Sequence, residues 1–430
     1  MSPRPFLPRM LRVAAGYWER LGAFQTNARL YLGSVILTGA ALGIYRLLFN
    51  FYILSQGYDE ALLGLLVTIN SLTALLAALP MGYLADRLGR KISLILGSLA
   101  TAAGVALIVL FPSVPMFIAA NILSGLGQSL AGVTMGPFLM ENSSEKERTY
   151  LFSFSSGLQM ASAFVGNWVG GYLPTWLGSL QGAAPTSTQA YGASLLVICS
   201  SALLAILPLL FLRPQAGSEP RSHFSSLGEI KRQSGMFSRL ILPMLITSIG
   251  AGMFMPFMNV FFRQVHHQPD PVIGSLFAWG SLAMGLGLLI APPLADRYGK
   301  VQLIVITQAI SLPFLAALGF SPWFALGAGA YYVRLALMNM SGPVYQTFVM
   351  EQVGPQNRAT VASLASMANS FGWAFSPSIS GWIQVRYGFG PAFAVTLVLY
   401  ALSTFLYWRF FWHKSVRPPA RESLLQPRAG

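Results

Sequence analysis

Long apolar runs alternate with short polar segments along almost the whole chain. A bilayer core of roughly 30 Å needs about 20 apolar residues per helix, and twelve runs reach about that length. Inside lipid each backbone amide must find its partner within its own element, so every run is predicted to be a helix. The runs cover approximately 31–54, 61–84, 92–112, 115–140, 149–173, 191–212, 239–263, 272–294, 302–320, 322–350, 359–384 and 391–412. The pattern predicts an all-α integral membrane protein with twelve transmembrane helices.

The pattern also repeats itself, with an offset of 210 positions between the two copies. The matching pairs are Gly64 and Gly274, Asp86 and Asp296, Arg87 and Arg297, Gly89 and Gly299, Phe138 and Phe348, Glu141 and Glu351, Arg148 and Arg358, and Gly171 and Gly381. Chance agreement at so many polar and glycine positions is improbable. We therefore predict two pseudo-symmetric halves of six helices each, related as parallel repeats. The predicted segments are a cytoplasmic N-terminal segment (1–29), the first half (30–212), a cytoplasmic linker (213–238), the second half (239–412) and a cytoplasmic tail (413–430).

Charge changes this picture mainly by giving it an orientation. Only 9% of the residues are charged, against about 25% in soluble proteins. The predicted outer loops contain two of the basic residues, Arg263 and Arg386, and nearly all the others fall in the opposite loops, the linker and the termini. This distribution places both termini in the cytoplasm and the chain in the plasma (inner) membrane. The net charge of +14 then reflects topology and contact with anionic lipids, and predicts no nucleic-acid partner.

One loop carries a recognisable motif. The segment Gly82-Tyr83-Leu84-Ala85-Asp86-Arg87-Leu88-Gly89-Arg90-Lys91 resembles the signature between the second and third helices of the major facilitator superfamily. The resemblance implies a transporter whose two halves rock around a central site. It also implies cytoplasmic gating clusters, since the spacing of Glu141 and Arg148 resembles the charge networks of sugar porters in that superfamily. The implied gating residues are Gly82, Asp86, Arg87, Gly89, Arg90, Glu141, Arg148, Asp296, Arg297, Glu351 and Arg358. The alternative is that these are solvated loop charges that keep helices from sliding.

Two further motifs of the superfamily are only partly present. Its fourth helix usually carries Arg-x-x-x-Gly-x-Gly, associated with proton coupling, and here Asn121 occupies the arginine position. The fifth helix of drug/proton antiporters carries Gly-Pro-x-x-Gly-Gly, and here Asn167 replaces the proline. The remaining glycines still allow close helix packing. Both departures argue against a proton-driven drug antiporter.

Two arginines lie well within predicted spans, Arg46 in the first and Arg334 in the tenth. An arginine at the centre of a membrane helix costs at least ~2.5–3.5 kcal/mol, so it is expected to face a watery cavity or a partner. In the superfamily these two helices line the central cavity, where guanidinium groups suit a carboxylate or phosphate. Arginines that snorkel or bind backbone carbonyls are the alternative. Further candidate binding residues are Asn50, Asn259, Gln159 and Asn369, each of which could equally form a helix–helix hydrogen bond.

These observations predict a secondary active or facilitative transporter of a small organic solute, with an anion as the first choice. The alternatives are an exporter of drugs or other hydrophobic or amphipathic compounds, with or without proton coupling, a lipid flippase, and a receptor that transports nothing. No catalytic constellation, phosphate-binding loop or metal-ligand spacing is present, so we expect no enzyme activity, no cofactor and no metal. The single cysteine, Cys199, excludes an internal disulfide bond. We expect a monomer in contact with its solute and with membrane lipids.

Overall fold

The computed structural model describes residues 24–213, 234–352 and 358–412, and every regular element in these ranges is helical. Most of the predicted N-terminal segment, most of the predicted linker and the predicted tail lie outside the described residues. The helices are α1 Thr26–Ser55, α2 Glu60–Leu88, α3 Arg90–Leu110, α4 Val114–Glu141, α5 Glu145–Leu180, α6 Thr188–Leu210, α7 Ser234–Phe254, α8 Met258–Gln264, α9 Asp270–Tyr298, α10 Lys300–Phe320, α11 Phe324–Gln352, α12 Arg358–Tyr387 and α13 Phe389–Phe411. A single 3₁₀ turn, Met255–Phe257, joins α7 to α8. These two helices and the turn form the seventh of twelve membrane-length segments.

The helix boundaries reproduce the sequence repeat. Helices α2 and α9 begin and end 210 residues apart, and so do α3 and α10. In each repeat one glycine separates the two helices, Gly89 with φ 81° and Gly299 with φ 93°. Only glycine adopts this backbone conformation readily, so the tight turn explains the repeated glycine. The prediction of twelve helices in two six-helix halves is confirmed.

Several helices extend beyond the predicted apolar runs. Helix α5 is the longest, with 36 residues, which corresponds to about 54 Å at the usual rise of 1.5 Å per residue. The predicted span 149–173 covered only its apolar middle, because hydropathy marks the part of a helix in lipid and not its polar ends. In the described part of the chain, nine segments are both long and apolar enough to cross a membrane by composition alone. Helices α5, α11 and α12 have the length but more polar residues.

A proline explains why the seventh membrane segment is divided into two helices. Pro256 lies in the 3₁₀ turn between α7 and α8, where the α-helix is interrupted because proline supplies no amide hydrogen. Pro137 and Pro377 lie inside α4 and α12, which remain continuous. The seventh segment also begins earlier than predicted, at Ser234, so the last residues of the predicted linker are helical.

The contacts divide the described chain into two compact units. The first unit contains the described residues of 1–222 together with 255–282 and 373–386. Inside it, α1 packs against α5 and α6, and α3 packs against α4 and α6. Asn27, near the start of α1, binds the backbone just after α6. Its side-chain amide donates to the carbonyl of Arg213 and accepts from the backbone N–H of Arg213, both at 3.0 Å.

The second unit contains the described residues of 223–254, 283–372 and 387–430. Inside it, α10 packs against α11 and α13, and α13 packs against α7. Phe348 lies in the core of this unit and Phe138, its repeat partner, lies in a core of the first unit. The matched phenylalanines therefore have the same structural role, each within its own unit.

Candidate functional site

The loop between α2 and α3 builds a small ionic cluster in the first unit. The guanidinium of Arg90 lies between two carboxylates, 2.8 Å from Asp86 and 3.2 Å from Glu141. Because Gly89 turns the chain sharply, Arg90 starts α3 within reach of the end of α2, and Glu141 reaches it from the end of α4. Three of the predicted gating residues are thus brought together.

The other predicted gating residues are less closely associated. Arg87 is exposed and lies over the ring of Tyr83 at 4.5 Å. A Cβ atom on Gly82 would meet nothing within 4 Å. In the second repeat, Asp296 and Arg297 are both exposed. The structure does not describe the side chains of the other three predicted gating residues, which are Arg148, Glu351 and Arg358. The second cluster therefore stays a prediction.

A cavity of about 390 Å³ lies wholly within the first unit. Helices α1, α3, α4, α5 and α6 form its wall, and no described residue that lines it carries a charge. The lining combines aliphatic groups with hydroxyls, amides and two tyrosine rings. The polar and aromatic members are Tyr31, Ser34, Thr38, Tyr45, Ser98, Thr101, Ser124, Gln128, Ser155 and Gln159. Such a wall suits an uncharged or amphipathic organic molecule, since ligand pockets are mostly apolar with a few placed polar groups.

The amides at this cavity were only half anticipated from the sequence. Gln159 was predicted as a binding residue and does line the cavity. Gln128 was missed, although it lies one helical turn after Ser124, another lining residue. A face of α4 with polar or small residues at positions 124, 128, 131 and 132 was the available signal.

The two intramembrane arginines lie in different surroundings. Arg46 is exposed on α1. The Arg334 side chain is buried inside the second unit, over the rings of Phe254 at 4.5 Å and Tyr400 at 5.0 Å. Its Nε and Nη2 atoms have no hydrogen-bond partner among the described residues. Within the described part of the chain, the contacts that Arg334 makes here are cation–π contacts with these two rings.

Two of the predicted amides bind each other. Asn50 donates to the side-chain oxygen of Asn259 at 2.8 Å and to the carbonyl of Pro256 at 2.6 Å. Asn259 in turn donates to the carbonyl of Leu47 at 2.7 Å. Both side chains are buried, so they form the helix–helix link that was the alternative to cargo binding. Asn369 is exposed in the second unit, and its backbone carbonyl accepts from Ser248.

A buried ionic network near this pair was missed. Asp270, the first residue of α9, accepts a hydrogen bond of 2.6 Å from the hydroxyl of Tyr191 and lies 3.6 Å from the guanidinium of Arg263. That guanidinium covers the ring of Phe51 at 4.4 Å. Asp270 lies between the predicted spans 239–263 and 272–294, and the pattern of apolar runs cannot show that a residue at a helix end is buried by other helices.

Two close helix crossings join the two repeats within the first unit. At the α2–α12 crossing, a Cβ on Gly64 would lie 2.2 Å from the carbonyl oxygen of Pro377. At the α5–α9 crossing, a Cβ on Gly274 would lie 2.7 Å from the carbonyl oxygen of Asn167. Since real Cβ contacts are never this short, only glycine fits at either crossing. The repeat partners Gly381 and Gly171 lie on the opposite helices of the same crossings.

Comparison with known proteins decides the family. The sequence profile of the Major Facilitator Superfamily matches residues 31–268 and 240–429. The chain belongs to the major facilitator superfamily. This member is a multi-pass membrane transporter, and the resemblance seen in the Gly82–Lys91 loop is confirmed.

Relatives of this transporter agree with that assignment. It is 27% identical over 390 residues to the multidrug resistance protein MdtG of Enterobacter lignolyticus, covering 84% of this chain and 87% of that protein. It is 22% identical over 385 residues to the uncharacterized MFS-type transporter YxaM of Bacillus subtilis, covering 86% of this chain and 92% of that one. Among solved structures it resembles a bacterial homolog of the human lysosomal transporter Spinster, inward-facing and unoccupied. That match has a TM-score of 0.73 at 15% identity and covers 91% of this chain and 99% of the other.

The superfamily motifs that this transporter keeps in part have a structural role. The retained Gly125 and Gly127 face the backbones of α2 and α3, where a Cβ would lie 2.6 and 2.7 Å from the nearest carbonyl oxygen. Asn121, at the position of the usual arginine, is buried and donates to the carbonyl of Phe117 at 2.8 Å. The glycines therefore serve helix packing, and Asn121 is occupied within its own helix.

Proposed function

We propose that this transporter exports drug-like, amphipathic organic compounds across the plasma membrane, and that the cavity in the first unit holds the cargo. The observation that carries the proposal is the uncharged, partly aromatic wall of that cavity. Relatives called multidrug resistance proteins support the direction and the class of cargo. An apolar cavity binds many compounds loosely because shape and hydrophobic contact discriminate weakly between them.

The anionic cargo remains a second hypothesis with a narrower basis. It requires Arg46 and Arg334 to present guanidinium groups to one molecule. Arg334 packs between Phe254 and Tyr400 and has 3% of its surface exposed, so a cargo could reach it only after those rings move. The cavity of the first unit needs no such movement, which is why export of amphipathic compounds takes first place.

Transport would proceed by alternating access, with a barrier at each end of the helices. At the predicted cytoplasmic end, the cluster of Asp86, Arg90 and Glu141 would strengthen when that end closes. At the predicted outer end, the Asn50–Asn259 pair would hold the closed arrangement. Each set has to break in turn for cargo to pass, and neither step makes or breaks a covalent bond. The protein would act as a monomer, with both termini in the cytoplasm and lipids as its other partners.

Filling the cavity tests the proposal. Gly132 lines the cavity, and a Cβ there meets nothing within 4 Å, so Gly132→Phe should place a ring in the binding space without strain. The test uses host cells that lack their own drug exporters and measures accumulation of the neutral fluorescent dye N-phenyl-1-naphthylamine. Cells with the wild-type protein should accumulate less dye than cells with an empty vector, and cells with Gly132→Phe should match the empty vector.

Gly136→Phe is the matched control. Gly136 lies one turn further along α4, does not line the cavity, and a Cβ on it also meets nothing within 4 Å. This variant should export as well as the wild type, with equal amounts of protein in the membrane. Wild-type cells that accumulate as much dye as the vector cells would contradict export of this class. Equal export by both phenylalanine variants would contradict the location of the site.

A further inference from the structure

The cavity of the first unit contains two primary amides whose hydrogen-bonding groups are not used. Gln128 on α4 and Gln159 on α5 both line it and are both exposed. Within the described part of the chain, neither side chain binds another group. Each amide offers two donors and a carbonyl acceptor, so together they can satisfy a molecule that has both kinds of polar group.

Two threonine hydroxyl groups of the wall already donate within their own helices and can only accept from a ligand. Thr38 donates its proton to the carbonyl of Ser34, and Thr101 donates its proton to the carbonyl of Gly97, both at 3.0 Å. The lone pairs of these hydroxyl oxygens remain available to a ligand. A bound molecule therefore meets acceptors at Thr38 on α1 and Thr101 on α3, and meets the amide donors of Gln128 and Gln159 on α4 and α5.

The described residues of this wall carry no charge that could pair with a charged ligand. An ion that leaves water for a mostly apolar cavity pays a large desolvation penalty unless an opposite charge or many hydrogen bonds replace the water. No described lining residue supplies an opposite charge for either a cation or an anion. A neutral molecule pays only for its polar groups, and the two amides and the hydroxyl oxygens can pair with them.

We infer that the cavity selects uncharged cargo that carries both a donor and an acceptor, such as a hydroxyl group on an aromatic body, and that Gln128 and Gln159 determine this specificity. The inference rests on the proposed function, because it assumes that cargo occupies this cavity. It narrows the cargo from amphipathic compounds in general to neutral ones with paired polar groups.

Three probes with one aromatic body test the inference. They are 2-naphthylethanol, the naphthylethyl-trimethylammonium cation and the 2-naphthylacetate anion, and binding to the purified full-length protein is measured by titration calorimetry. The alcohol should bind at least about tenfold more tightly than either ion. Gln128→Leu and Gln159→Leu should each weaken the alcohol by about three- to tenfold, the value of one neutral hydrogen bond. Gln189→Leu, an exposed glutamine of α6 outside the cavity, should leave its binding unchanged.

A charge-creating variant distinguishes selection by the amides from simple hydrophobic binding. Gln128→Glu should improve binding of the cation by about tenfold and weaken binding of the anion, because it supplies the missing opposite charge. Equal binding of all three probes, unchanged by the glutamine variants yet abolished by Gly132→Phe, would overturn the inference and leave the proposed function standing. Alcohol binding that Gly132→Phe leaves intact would overturn both, whereas no alcohol binding at all would overturn the inference alone.

Discussion

The two crossings that join the repeats share a backbone design and differ in their charged groups. Each pairs a helix of the first repeat with one of the second through repeat-related glycines, and each has a carboxylate at the first residue of one helix. At the α2–α12 crossing this residue is Glu60, which is half-buried and accepts a hydrogen bond of 2.6 Å from Gln264. At the α5–α9 crossing it is Asp270, which is buried and held by Tyr191 and Arg263.

The difference shows how a repeated framework becomes asymmetric. The glycines have to be the same at both crossings, because any Cβ would meet backbone. The carboxylates are under no such constraint: Glu60 is half-buried and binds a neutral amide, whereas Asp270 is buried and lies beside a partly exposed cation, Arg263. Hydrogen bonds differ as well: Ser378 binds Thr68 and the carbonyl of Gly64 across the first crossing. The backbone is thus set by the repeat, and the polar contacts are specific to each crossing.

The largest difference between the crossings should follow from neutralising the carboxylates. Asp270→Asn removes the buried carboxylate that accepts the hydrogen bond from Tyr191 and lies 3.6 Å from the guanidinium of Arg263, and a hydrogen bond to a charged group contributes roughly 1.5–3 kcal/mol. We expect the melting temperature of the detergent-solubilised protein to fall by several degrees. Glu60→Gln, the matched change at the other crossing, should lower it little, because Glu60 is half-exposed and its partner is neutral. Equal effects of the two changes would contradict the asymmetry.

Replacing the crossing glycines by alanine should give a smaller difference in stability between the two crossings. Here the α2–α12 crossing should be the more sensitive one. Gly64→Ala places a Cβ at 2.2 Å from a carbonyl oxygen, whereas Gly274→Ala places one at 2.7 Å. Overpacking of this kind costs typically about 1–3 kcal/mol, and the closer contact should cost more. Thermal unfolding should therefore rank Gly64→Ala as less stable than Gly274→Ala. Gly157→Ala is the control: its Cβ meets nothing, so the better helix propensity of alanine should stabilise slightly. The reverse order of the two crossing variants would show that the helices relax apart.

The smallest effect should come from the exposed carboxylate at the other end of α2. Asp86 is 2.8 Å from Arg90, but 47% of its side-chain surface is exposed. Exposed ion pairs contribute about 0.2–1 kcal/mol and are screened by salt. Asp86→Asn should change the melting temperature slightly at low salt and not at all at high salt, while labelling of cysteines introduced at the predicted cytoplasmic end should increase. A stability loss as large as that of Asp270→Asn would mean that the cluster is structural and not a gate.

Much of the fold could be read from the sequence, for physical reasons that particular residues illustrate. Lipid forces each apolar run into a helix, and the repeated Gly89 and Gly299 mark turns that only glycine makes readily. The ends of α5 could not be predicted in the same way, because polar residues continue a helix outside lipid without leaving a hydropathy signal.

The site could be predicted less well. Gln159 was found because it is polar within an apolar run, and Asp86, Arg90 and Glu141 were found because a motif named them. Asp270 was missed because burial at a helix end depends on which other helices cover it. That information lies in the packing of α6, α8 and α9 and not in any local pattern.

The bidentate link between Asn27 and Arg213 has a consequence for how the protein is made. These two hydrogen bonds join the start of α1 to the residues that follow α6, so they need no residue from later in the chain. Both residues of this contact, Asn27 and Arg213, are therefore present as soon as the ribosome has synthesised Arg213. The ends of α1 and α6 can therefore be hydrogen-bonded to each other while the second six membrane segments are still being synthesised and inserted.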